Sequence, residues 1–359
     1  MPNNNVSRSF WNSKKVLISG HTGFKGSWLT LWLKSMGANI CGLSLAPKTK
    51  PSLFDNVVTL DGIRHEIIDI RNFEDVDNVF KSFRPELVFH MAAQPLVTDS
   101  YKQPIETYST NIMGTVHVLE ACRRARSVEA IINVTTDKCY ENKEWLWGYR
   151  ENDPMGGRDP YSSSKACVEL ISFAYSKSFL EDEKIRMATV RAGNVIGGGD
   201  WADDRLIPDI LKAIESKESF HIRNPKAIRP WQHVLEPLSG YMILAQQLYN
   251  NNSNYSGAWN FGPNDNDTKT VKWVAEELIK KWGSDIDIKY QSDKYPHEAN
   301  FLKLDISKAK QELSWKPRWS LDIALDKIVD WHKSWNDGHD MYNECIQQID
   351  EYISEETME

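Results

Sequence analysis

Cysteine is scarce in this chain: Cys41, Cys122, Cys139, Cys167 and Cys345 are five scattered residues, odd in number and without a CxxC pair. That argues against a disulfide framework and a cysteine-bound zinc, and it suits a reducing compartment, so a cytoplasmic location is expected. The nine histidines form no HxxxH pair, and no metal centre is expected. Positive charge is not in excess either. Against 50 acidic residues stand 43 basic ones, a formal net charge of −7, which leaves no global field for nucleic acid or an anionic membrane. No run approaches the roughly 18 apolar residues of a membrane helix, the opening MPNNNVSRSFWNSKK has no apolar signal core, and no internal repeat is visible.

What is present is the composition of a folded protein: 359 residues, 41% hydrophobic and 26% charged, enough for one large or two modest domains around a substantial core. Short apolar runs alternate with amphipathic ones. KKVLIS, ANICGLSL, RHEIIDI, ELVFHMAA, VEAIINVTT and IRMATVRAGNV read as strands. Between them SWLTLWLKSMG, NFEDVDNVFKSF, PIETYSTNIMGTVHVLEACRRA and YSSSKACVELISFAYSKSF read as helices. Strands that are apolar throughout and alternate with helices require a parallel sheet covered on both faces, so a doubly wound α/β domain is expected over 13–191. From 192 to 345 the texture changes to Gly-, Pro-, Arg- and Trp-rich stretches such as GGGDWADDRLIPD and RNPKAIRPWQHV, with the helices TVKWVAEELIKKW and LDIALDKIVDWHKSW. This predicts a smaller substrate-binding region with segments returning to the first domain. Residues 346–359 read as a fraying acidic tail.

Gly20, Gly23 and Gly26 form GxxGxxG between the first strand and the first helix, where glycine lets backbone amides and a helix N-terminus approach a pyrophosphate. The second strand ends in GLSLAPK, without the Asp or Glu that commonly holds a ribose; Ser44 would suit that task, and Lys48 a 2′-phosphate, or both are solvated. Tyr161 and Lys165 stand one helical turn apart and share a face, where an ammonium would pull the phenol down from about 10 toward working pH and make it a general base. The same spacing at Tyr290 and Lys294 lacks such neighbours. In VTTDKCYEN, Asp137 and Lys138 follow directly on an apolar strand, where a ligand would lie. Most of the fourteen tryptophans, Trp28, Trp32, Trp273 and Trp282 among them, fall at helical positions that suit packing.

GxxGxxG at 20–26, DIR at 69–71, Asn111 in a long helix and YxxxK at 161–165 together resemble the extended short-chain dehydrogenase/reductase family over nearly the whole chain. TTDK at 135–138 resembles the Thr-Asp-Glu segment of its nucleotide-sugar 4,6-dehydratases, with Lys138 where most members carry Glu. The stretches 144–165, 191–202, 228–238 and 260–267 are similar to the CDP-glucose branch of that family.

The resemblance implies a Rossmann-type domain holding NAD tightly and recycling it, with CDP-glucose as substrate, and a homodimer or dimer of dimers formed through the helices at 104–125 and 161–179. It implies cofactor contacts from Gly20, Thr22, Gly23, Phe24, Lys25, Gly26, Ser44, Asp69, Ile70, Ala92, Ala93, Gln94, Asn111, Thr135, Tyr161 and Lys165. Substrate contacts are implied for Gln94, Thr136, Asn194, Arg205, Arg229, Gln232, His233, Tyr295, His297 and Glu298. Catalysis is implied for Thr136, Asp137, Lys138, Tyr161 and Lys165: oxidation at C4, elimination across C5 and C6 with Asp137 as acid, and hydride return to C6. Lys138 would be the C5 base, act through water, or stabilise the enolate. An epimerase or reductase would keep Tyr161 and Lys165 without the elimination, and a dinucleotide-sensing protein would bind without turnover.

Overall fold

The structure is a computed structural model and describes residues 5–58, 60–250, 253–290 and 300–354. Its first six strands are β1 (Lys15–Ser19), β2 (Asn39–Ser44), β3 (Ile63–Ile67), β4 (Leu87–His90), β5 (Ala130–Val134) and β6 (Arg186–Ala192). Then come β7 (Asn194–Ile196), β8 (Phe220–Ile222), β9 (Ile228–His233), β10 (Gly257–Phe261), β11 (Thr268–Thr270) and β12 (Ile288–Tyr290). Seven form one sheet in the order β10-β6-β5-β4-β1-β2-β3, parallel throughout. Strand β1 has β2 on one side and β4 on the other, so the order reverses there and leaves a crevice beyond the carboxyl ends of β1 and β4.

The longer helices are α1 (Phe24–Ser35), α2 (Phe73–Phe83), α3 (Gly114–Ala125), α4 (Pro160–Tyr175), α5 (Leu206–Ser216), α6 (Leu235–Tyr249), α7 (Val271–Trp282), α8 (Leu321–Asn336) and α9 (Met341–Ser354). The two-residue period of a strand splits the core. Val16 and Ile18 join Trp28, Trp32, Tyr241 and Leu244 on the face covered by α1 and α6, whereas Leu17 joins Val76, Phe80, Val118 and Leu119 under α2 and α3. A third cluster, with Ile210, Leu211, Leu278, Leu325 and Ile328, ties α5, α7 and α8 together. A three-stranded sheet, β11-β9-β7, lies in the C-terminal region, while β10 returns to the large sheet beside β6.

Three sequence expectations change. The run 104–125 is broken into Pro104–Tyr108, a π turn at Ser109–Met113, and α3. The run 161–179 likewise passes into a π turn at Ser176–Leu180. The acidic tail expected from 346 is instead the packed helix α9 through Ser354. Its Ile349 and Tyr352 are fully buried, and the Tyr352 hydroxyl donates to Glu236 Oε2 at 2.8 Å. Charge count hid an apolar stripe at Met341, Cys345, Ile349 and Tyr352.

Candidate active site

The glycine turn follows β1 directly. Gly20 has a φ of +80°, and a Cβ there would stand 2.7 Å from the Ala92 amide nitrogen; at Gly26 it would stand 2.1 Å from Gly20 O. Those two glycines therefore close the turn against β4 and seat α1 on it. Gly23 is different: a Cβ there would meet only Gly20 O, at 3.4 Å, and as the α1 N-cap it makes no side-chain cap bond. The result is an open backbone cradle over a helix N-terminus, with Lys25 beside it, which fits a pyrophosphate. Burial, with Lys165 and Arg205 adding repulsion, pushes Lys25 down to about 8. Ser44 lies at this turn, its hydroxyl 2.8 Å from Thr22 Oγ1, while Lys48 is exposed. Ile70 is buried beyond β3, and Asp69 is gripped by Arg71 Nε and Nη2 at 2.6 to 3.0 Å.

At the end of β4 a hydrogen-bond chain fixes the crevice floor. The Thr115 hydroxyl donates to Asn111 O at 2.7 Å, so His90 Nε2 donates to Thr115 Oγ1 (2.9 Å) and His90 Nδ1 accepts from Ser19 Oγ (2.6 Å). Ser19 Oγ in turn accepts the amides of Met91 and Ala92. Asn111 sits in the π turn, accepting from Gln94 N (2.8 Å) and donating to Gln94 O and to Ser164 Oγ (2.9 Å). The widened turn thus brings the Asn111 amide to both the β4 loop, where Ala93 lies, and α4. Gln94 spends its side chain locally, on Leu96 and on Thr107 Oγ1 at 3.0 Å.

Helix α4 begins with Pro160 and is capped by Asp159, which accepts from Ser162 N at 2.8 Å. That start aims Tyr161 and Lys165 at the carboxyl end of β5. There Thr136 caps a short turn, Asp137–Cys139, accepting from Lys138 N and donating to Asp137 Oδ1 at 3.1 Å. Asp137 is 2% exposed and its Oδ2 has no partner among the described residues. Burial holds its carboxyl above the ordinary value, against the pull of Lys138, the Thr136 hydroxyl and Arg229. Lys138 is half-buried, and its charge acts on the neighbouring Asp137.

Tyr161 differs from expectation. Burial pushes its phenol up to about 12; the Thr136 hydroxyl and the Arg205 guanidinium act downward, Asp137 and Asp159 upward. Lys165 meanwhile donates to Val134 O at 3.0 Å, and burial lowers it to about 8 against the opposing charge of Glu169. The protein alone does not poise this phenol near neutrality.

Of the substrate candidates, Arg205 forms the α5 N-cap, donates to Asp200 Oδ2 at 2.8 Å and lies close enough to Tyr161 to act on its charge. Arg229 is 3% exposed on β9 and its charge reaches Asp137. Asn194, half-buried, pairs with Trp231 in the β7–β9 ladder. Two candidates are placed elsewhere. Gln232 donates to Phe261 O at 2.9 Å inside the fold, and His233, fully buried between Trp28 and Trp319, belongs to the core. An apolar-facing strand position accounts for His233 better than a ligand does. Tyr295, His297, Glu298 and Lys294 lie outside the described residues.

Sequence reading missed Glu169, Arg191 and Tyr140, which lie behind the turn. The signals were there: Glu169 continues the Tyr161–Lys165 face, and Arg191 is a charge inside an otherwise apolar strand, which must be paired if that strand is buried.

The profile of the GDP-mannose 4,6 dehydratase family matches residues 17–328. A CDP-glucose 4,6-dehydratase of Salmonella typhimurium is 53% identical over 357 residues, covering 98% of this chain and 99% of that protein. Among solved structures, the dTDP-glucose 4,6-dehydratase of Bacillus anthracis in complex with NAD superposes with a TM-score of 0.76 at 23% identity, over 91% of this chain and 99% of that one. A UDP-glucose 4-epimerase of Thermotoga maritima gives 0.78 at 21% identity, over 89% and 99%. Both show the shared Rossmann-type fold. With its glycine cradle, its Tyr161–Lys165 helix and a family match spanning most of its length, the chain belongs to the GDP-mannose 4,6 dehydratase family of extended short-chain dehydrogenases/reductases.

Proposed function

We propose that this protein is an NAD-dependent dehydratase that converts CDP-glucose to CDP-4-keto-6-deoxyglucose and water. The observation that carries the reading is the Thr136–Asp137–Lys138 turn, set at the carboxyl end of β5 against Tyr161 and Lys165, in a chain 53% identical to a CDP-glucose 4,6-dehydratase. The cradle of Gly20, Gly23 and Gly26 with Lys25 would hold NAD, which would supply hydride acceptance at C4 and hydride return at C6. Tyr161, as phenolate, takes the O4 proton, with Thr136 holding that oxygen. The resulting ketone acidifies the C5 hydrogen. Asp137, whose carboxyl burial holds above its ordinary value, gives its proton to the departing O6, which leaves as water. We assign removal of the C5 proton to Lys138, which must be neutral to accept it.

Arg229 and Arg205 are the cations we assign to the diphosphate, with Asn194 nearby. Pairing of two copies is supported by Ile105, Leu170 and Phe173, apolar side chains 85%, 61% and 66% exposed on adjoining helices. A homodimer through that face and a cytoplasmic location complete the proposal; no described helix is long and apolar enough to cross a membrane. The test is incubation with CDP-, UDP-, dTDP- and GDP-glucose and NAD, followed by the alkali-induced absorbance of a 4-keto-6-deoxy sugar. Signal from CDP-glucose above the others is expected, and none from CDP-glucose would defeat the assignment.

A further inference from the structure

The turn bearing Thr136 and Asp137 rests on a buried ion pair that the reaction itself does not use. Glu169 and Arg191 have side chains 6% and 4% exposed, joined by two parallel bonds, Arg191 Nε to Oε1 at 2.9 Å and Nη2 to Oε2 at 2.8 Å. Each partner also holds one end of the catalytic turn. Thr135, just before it, donates its hydroxyl to Glu169 Oε1; Tyr140, just after it, accepts at its hydroxyl from Arg191 Nη1 at 2.8 Å and donates to Asn260 Oδ1 at 2.7 Å. Thr189 on β6 closes the remaining Glu169 oxygen at 2.7 Å. Glu169 further lies one helical turn beyond Lys165 on α4, so a single carboxylate joins the helix face of Tyr161 and Lys165 to the turn of Thr136 and Asp137.

Resting on the dehydratase reading above, we propose that Glu169 and Arg191 form a positioning clamp: they fix both ends of the Thr136–Cys139 turn against the Tyr161–Lys165 face and so set the geometry of the elimination. Stability is a poor reason for such a pair, because desolvating two charges costs about as much as their attraction returns and apolar substitutes commonly serve as well. Holding reacting groups in place is a better one, since a displacement near 1 Å can cost about a hundredfold in rate. The clamp also has an electrostatic signature. Lys165 stands one turn from Tyr161 and is faced by Glu169 on its own helix, Cys139 from the turn, Lys25 from the glycine loop and His90 from β4. Burial keeps His90 neutral and the Cys139 thiol protonated, and Lys25 is a base, so the negative charge that favours protonated Lys165 comes from Glu169.

The test uses the NAD-loaded enzyme and CDP-glucose. In Glu169→Gln, activity that needs charged Lys165 should disappear at lower pH, moving the alkaline limb of the kcat profile down by about one pH unit. Glu169→Asp should return the limb toward its wild-type position. Tyr140→Phe removes one hydroxyl from the clamp and leaves the ion pair whole; its kcat should fall about tenfold with KM within about twofold and the limb unmoved. An unmoved limb in Glu169→Gln, or wild-type kcat in Tyr140→Phe, overturns the proposal. Should Glu169→Gln fail to fold, Tyr140→Phe decides alone on the same criterion. Wild-type enzyme without turnover of CDP-glucose would instead overturn the dehydratase reading, a result distinct from either.

Discussion

At the scale of single residues, Asp137 carries a cost in stability that the proposed reaction would use. Its unpartnered Oδ2 and its full burial raise its pKa in the folded state, so the folded protein binds a proton there that the unfolded chain has already released. Stability from this group is therefore lost as pH rises through that interval. Asp137→Asn removes the titration and should raise the melting temperature at neutral pH by about 2 °C, while lowering dehydration at least a hundredfold. A lower melting temperature would contradict the burial account. The same logic separates the roles at Lys138. If it is the C5 base, Lys138→Ala loses solvent hydrogen exchange at C5 and Lys138→Glu keeps it; equal exchange in both would remove that role. Asp137 was legible in the sequence because it follows an apolar strand, where parallel sheets place their ligands. The high value of Tyr161 was not, because desolvation depends on what packs around a phenol and spacing shows only what stands one turn away.

Among elements, the π turn at 109–113 and helix α9 hold the most instructive differences. Neither π turn, STNIM or SKSFL, contains a proline or glycine to mark a break, so each run reads as one helix in the sequence. Yet the widened turn at 109–113 is what brings Asn111 onto Gln94 and Ser164. Asn111→Ala strands the Gln94 amide and should cost about 1–3 kcal/mol in urea unfolding; no loss would mean that the turn does not depend on it. Helix α9 reads as a tail because the stretch IDEYISEETME is rich in acidic residues. Tyr352 packs edge-on against Trp32 and Trp319 and holds Glu236, a carboxyl that burial pushes up to about 7. Tyr352→Ala should cost about 3–5 kcal/mol, measured by the same unfolding, and a change below about 1 kcal/mol would restore the fraying tail.

For the molecule as a whole, alternating strands and helices announced the large parallel sheet and the glycine triplet announced the turn between β1 and α1, whereas the strand order with its reversal at β1 is seen only in the fold. The return of β10 to that sheet was not foreseen in detail, since a five-residue strand inside a Gly- and Asn-rich stretch carries little periodicity. Assembly belongs to this scale. Phe173→Glu should shift the sedimenting species from dimer to monomer without loss of helix signal, and an unchanged species would place the interface elsewhere. What unites the levels is one claim, that a hydrogen leaves C4 and comes back at C6 of the same sugar while Asp137 and Lys138 carry out the elimination between them. The most direct measurement is turnover of CDP-glucose deuterated at C4. The account predicts the deuterium in the C6 methyl group of the product and one solvent hydrogen at C5. Deuterium retained at C4, as an epimerase would leave it, or released to water, would contradict it.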